Sequence, residues 1–106
     1  MIVVTSETIA NRKIVRTLGI VRGNTVRARH IGQDILAGLR NIVGGEVHEY
    51  AKLIAESREQ SIDRMVAEAE SLGANAIVAA RFTTSVMMGG AAELLAVGTA
   101  VVVEDA

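Results

Sequence analysis

The apolar positions of this chain switch between a spacing of two and a spacing of three to four residues. Ile2 to Val4 is a short β-rich run, and TSETIANRK after it is polar and turn-like. From Lys13 the stretch KIVRTLGIVRGNTVRAR alternates, with Ile14, Arg16, Leu18, Ile20 and Arg22 on one side, which predicts extended structure. Gly23-Asn24 fits either a two-residue hairpin turn or a bulge, so residues 13–29 read as a hairpin or as one kinked strand.

In HIGQDILAGLRNIVGG the residues Ile31, Ile35, Leu39 and Ile42 recur at helical spacing, while Gly32 and Gly38 weaken the pattern. A short or irregular helix is expected there. The strongest pattern runs from Glu46 to Leu72, where Val47, Tyr50, Ala51, Ile54, Ile62, Met65, Ala69 and Leu72 form one stripe. Gly45 suits the N-cap, Glu46 and Glu49 place negative charge at the positive end of the helix dipole, and Gly73 suits the stop. At ~1.5 Å per residue such a helix extends roughly 40 Å, longer than a small domain is wide, so part of it should lean on a neighbour.

Beyond Gly73 the period returns to two in AIVAARFTTSVM and ELLAVGTAVVV, with GGAA between them. With Gly89-Gly90 as the turn, Val78, Ala80, Phe82, Thr84 and Val86 stand opposite Val101, Thr99, Val97, Leu95 and Glu93 on one face. The other face carries Ala96, Gly98 and Ala100, small enough for a helix or another strand to approach closely. The fold class that follows is α+β, a single domain over residues 1–106 in which one long helix covers a mostly antiparallel sheet.

Composition adds a reason for assembly. Half the residues are apolar, but sixteen are alanine and only Tyr50 and Phe82 are aromatic, so one subunit has few bulky groups for a core. Charge adds another: residues 1–45 hold seven Lys/Arg against two Asp/Glu, and residues 46–106 hold four against ten, or +5 and −6. The two regions either face solvent side by side in one subunit or pair between copies in a ring. Basic residues interrupted by apolar ones, without aromatic stacking platforms, speak against a nucleic-acid partner. No apolar window nears the ~20 residues that span a bilayer, and no signal segment is apparent, so a cytoplasmic protein without a membrane partner is expected.

Candidate chemistry is sparse. There is no cysteine, so thiolate nucleophiles and thiolate metal sites are excluded. The glycines form neither GxxxxGK[ST] nor GxGxxG, GxSxG is absent, and the sequence predicts no enzyme. GGEVHEY places His48 between Glu46 and Glu49, yet residues three and four away from His48 are Gly44, Gly45, Ala51 and Lys52, none a metal ligand. His30 would meet His48 only through the fold or across subunits, so spacing does not support a metal cofactor. Arg58 is more telling, because on a helical wheel it falls inside the apolar stripe beside Ser61. It reads as an arginine paired with Asp34, Glu46 or Glu93 at a subunit contact, or as the centre of an anion or ligand site. Arg81, on one side of a Val/Ala-rich strand, either lines the same polar pocket as Arg58 or meets solvent, and Arg27 and Arg29 are further ligand or interface candidates, with a solvated strand edge as the plainer role.

VRARHIGQDILAGLRNIVGGEVHEYAKLIAESREQSIDRMVAEAESLGANAIVAARF, together with AVGTAVVV, resembles the YbjQ-like family over nearly the whole chain. Its most specific parts are Gly32 to Glu46, the pair Arg58 and Arg64 before Met65, Gly73 to Val78 and Gly98 to Val101. The resemblance implies a dodecin-like β-α-β-β subunit, assembly into a closed homopentameric ring, and a label of heavy-metal binding without an established activity. The expected function is a homo-oligomeric binder of a metal or small ligand between subunits. A structural or partner-binding ring, and below it an enzyme with an inter-subunit arginine-carboxylate cleft, are the alternatives.

Overall fold

The computed structural model describes residues 1–27, 48–87 and 91–106, and the side chains of 1–26, 54–85 and 93–106. Its elements are β1 (Ile2–Val3), β2 (Arg12–Arg27), α1 (His48–Ser71), β3 (Ala76–Met87) and β4 (Ala91–Asp105). The strands form one sheet in the order β1-β3-β4-β2. β4 runs antiparallel to both β2 and β3, and β1 lies parallel to β3. The sheet is open, not closed on itself, and the expected helix within residues 30–45 and the turn at Gly89-Gly90 lie outside the described residues.

Residues 13–29 were open between a hairpin and a kinked strand. As far as Arg27 the chain is one strand, with Gly23 paired to Ala96 and Asn24 to Leu95 in mid-ladder. No turn occurs at Gly23, whose hydrogen side chain answers a different need. A Cβ built there would lie 2.2 Å from the Ser61 carbonyl oxygen, 2.4 Å from the Met65 nitrogen and 2.8 Å from Arg64 Cβ. The helix backbone therefore rests on the strand backbone at this point. The kinks sit earlier in β2, as register shifts between Ile14 and Arg16 and between Thr17 and Gly19.

Helix α1 covers β2 and β4. Its inward residues Met65 and Ala69 meet Val21, Ile77, Ala80, Ala96 and Ala100, all buried. Of the two occupants that the small β4 residues allowed, they thus receive the helix. Gly73 at φ 86° ends the helix, with Ala74 N–H donating to Ala69 O and Gly73 N–H to Glu70 O, both at 3.0 Å. These are the paired bonds of a Schellman cap, and they satisfy carbonyls that the helix end would otherwise leave open.

The opposite face has its own core of Ala76, Val78, Val101 and Val103, roofed by Ile2, Val4 and Ile9 of the N-terminal segment. The β3–β4 register differs from the expected one. Val78 pairs with Thr99, not Val101, and after a shift between Val78 and Arg81 the partners are Phe82–Ala96 and Thr84–Leu94. An irregularity at Ala79, which adopts φ 54°, is the cause: it moves Phe82 and Thr84 onto the helix-side face. Simple alternation could not anticipate a residue that a bulge adds to one strand.

Candidate functional site

The region where α1 crosses β2 gathers the polar side chains that the sheet would otherwise lack. Because Gly23 lets the helix so close, the positions beside it take only short side chains, and Thr25, Ser57 and Ser61 are all buried there. The Ser61 hydroxyl donates to Leu94 O at 3.0 Å and lies 3.3 Å from Thr25 Oγ1, which also donates to Ser57 O at 3.4 Å. No buried side-chain polar atom among the described residues lacks a partner. The hydroxyls thus bind helix to sheet, and a bound molecule would have to displace bonds already made.

Around this knot lie the charges. Arg64 donates to the Asn24 carbonyl, and the Asn24 amide donates to Glu93 Oε2 at 3.1 Å. This chain ties α1 to β2 and β2 to β4 at the surface. The sequence reading named Glu93 as a possible partner of Arg58, but within the subunit Asn24 holds it. Neither Asn24 nor Arg64 was singled out as part of such a chain, because strand register alone brings residues 24 and 93 together.

Arg58 needs a correction. It lies on the stripe direction of α1, yet it is exposed, as is Ile54 one turn earlier, since the buried row runs Ser57, Ser61, Met65 and Ala69 in steps of four and leaves Arg58 to its side. Among the described residues Arg58 has neither a hydrogen-bond nor an ion-pair partner. Arg81, also exposed, donates to Thr5 O at 2.7 Å and to Ala80 O at 2.8 Å. It fastens the N-terminal segment to β3. By register with Val97 it projects from the face opposite α1, so it does not share a pocket with Arg58. Arg27 is the last residue of β2, paired with Ala92, and His48 is the first described residue of α1. Arg29, His30, Asp34 and Glu46 lie outside the described residues.

The one ion pair is Arg12 with Asp105 at 3.1 Å among the described residues, on exposed side chains, where such pairs contribute little. No group of three or more His, Cys, Asp or Glu suited to a metal occurs among the described residues. Nor is any helix there long and apolar enough to cross a membrane.

A family described as "Putative heavy-metal-binding", of the YbjQ type, matches residues 1–104. The chain belongs to this family. A UPF0145 protein of Methanosarcina acetivorans is 55% identical over 95% of both chains. One of Dehalococcoides mccartyi is 56% identical, over 98% of this chain and all of the relative. Among solved structures, a DUF74-family protein of unknown function from Pediococcus pentosaceus superposes with a TM-score of 0.66 at 14% identity, covering 98% of each chain. That likeness speaks for the fold alone. The family description names heavy metals, but this YbjQ-type chain has no cysteine to supply the soft thiolate donors that such ions favour.

Proposed function

We propose that this family member works as a cytoplasmic homo-oligomeric ring, a pentamer in keeping with the resemblance, that binds a small anionic ligand between subunits and performs no catalysis. The supporting observation is the apolar surface that the described residues of one subunit leave uncovered, with Ile14, Val15, Ile20 and Val26 of β2 and Phe82 of β3 all exposed, as apolar surfaces that a partner covers are in the free subunit.

The ligand class follows from the donors. An exposed Arg58 guanidinium on α1 without a partner among the described residues, and a β2 strand that carries Lys13, Arg16, Arg22 and Arg27 with no acidic residue, suit an anion. Without cysteine, and with no three-ligand cluster among the described residues, a heavy-metal cation is less favoured. Isothermal titration with inorganic phosphate, and separately with zinc and copper, decides the matter. The expected result is saturable phosphate binding that Arg58→Met weakens at least tenfold, with the oligomer intact by light scattering. Saturable zinc or copper binding without phosphate binding would replace this reading by a metal one.

A further inference from the structure

The sheet has two unpaired edges that match each other. On one side, β2 is a border strand over its whole length among the described residues. Its first half carries both register shifts, and shifts of this kind twist an edge away from partners. From Ile20 to Arg27, however, it pairs with β4 without interruption, from Ile20–Thr99 to Arg27–Ala92. On the other side, the backbone of β1 and the chain after it bonds to the β3 backbone as far as Ala80, through Val4 N–H to Ile77 O, Ala79 N–H to Ser6 O and Ala80 N–H to Val4 O, with the Arg81 side chain reaching back to Thr5 O. Beyond that point β3 keeps regular pairing with β4 from Arg81 to Met87, and its outer edge has no neighbour among the described residues. Two straight edges of nearly equal length thus lie on opposite sides of one sheet.

Apolar side chains mark both edges. Ile20 is 66% exposed and Val26 57% on β2, and Phe82 is 47% exposed on β3. Phe82 shares the helix-side face with Ala96, but α1 covers β2 and β4, which leaves the ring of Phe82 beyond its shelter. A strand laid beside β2 would bring its own helix-side residues against the uncovered flank of α1.

We infer that β3 residues 81–87 of one copy add to β2 residues 20–27 of the next, so that the sheets continue from subunit to subunit; this rests on the ring reading above. A second copy suits both edges at once, whereas a foreign strand would satisfy one and leave the other open. Charge favours the pairing: two β2 edges meeting across a two-fold axis would set Arg22 and Arg27 against their own copies, while β3 residues 81–87, also without acid, bring one arginine, Arg81. Direction selects it as well: β2 and β3 are both antiparallel to β4, hence parallel to each other. Rotation about an axis near the strand direction keeps that sense, so the new ladder is parallel and the contact is head-to-tail, the kind that closes rings.

The absence of native cysteine makes the test direct. Chains carrying Thr83→Cys are co-expressed with size-tagged chains carrying Ile20→Cys or Val26→Cys, all at exposed positions, and treated with a short bis-maleimide. The expected result is a cross-link between tagged and untagged chains for at least one β2 position, and none when any variant is treated alone. Cross-linking of a β2 variant with itself would overturn the inference in favour of a two-fold contact. No cross-link in an assembly that light scattering still finds multimeric would refute edge pairing and leave the ring standing. A monomer would remove both.

Discussion

Gly23→Ala is expected to lower unfolding free energy by about 3 kcal/mol, near the upper range for overpacking, because the new methyl meets backbone and not a movable side chain. The Ser61 carbonyl oxygen at 2.2 Å and the Met65 nitrogen at 2.4 Å belong to a helix that cannot yield locally without lifting off the sheet. In a domain of this size the midpoint should fall by roughly 12–24 °C in thermal unfolding followed by circular dichroism at fixed protein concentration. Gly98→Ala is the control. There the closest atom is the Ile77 Cγ2 methyl at 2.5 Å, with Val78 O at 3.3 Å. A methyl turns aside more easily than a carbonyl, so the loss should be about 1 kcal/mol. If Gly23→Ala proved milder than Gly98→Ala, the helix would not cross β2 where it is placed here.

Met65→Ala should cost about 2–5 kcal/mol, the range for emptying a core site of this size. Met65 is 1% exposed and is among the largest fully buried side chains, set between Val21 and Ala69 at the centre of the helix-side core. Leu72 lay on the same predicted stripe, yet it is 47% exposed beyond the end of α1. For a comparable truncation, Leu72→Ala should cost under about 1 kcal/mol, since little apolar area leaves the interior. Chemical denaturation of both variants checks the ratio; equal losses would mean that the helix is seated one turn away from its position here.

The two substitutions also mark where sequence was a sufficient guide. The stripe through Met65 and Ala69, the small β4 residues that receive it and the stop at Gly73 were all legible, because periodicity and backbone preference report a local environment directly. Gly23 was legible only as something special. A glycine in a strand signals a turn, a bulge or a close approach, and which of these applies depends on an element 38 residues away. The irregularity at Ala79 was not legible at all, since alanine carries no preference for φ above zero. It displaced the whole expected β3–β4 register.

The candidate site was harder to read for the same reason. Arg58 stood out because it broke a stripe, but a helical wheel does not show that the buried row steps by four through Ser57, Ser61, Met65 and Ala69 and drifts past Arg58. Arg81 was flagged beside it, although strand register sends it to the opposite face to hold Thr5. Asn24, Arg64 and Glu93 form a connected surface chain that no spacing rule connects, because the connection exists only once β2, α1 and β4 are in register.

The proposed ring rests on the apolar side chains and strand edges that one subunit leaves uncovered among the described residues. The mass of the unmodified protein in solution tests this most directly. Size-exclusion chromatography with multi-angle light scattering at micromolar concentration should give a single species at an integral multiple of 11.2 kDa, five being the expected number. A stable species of one chain mass would contradict it.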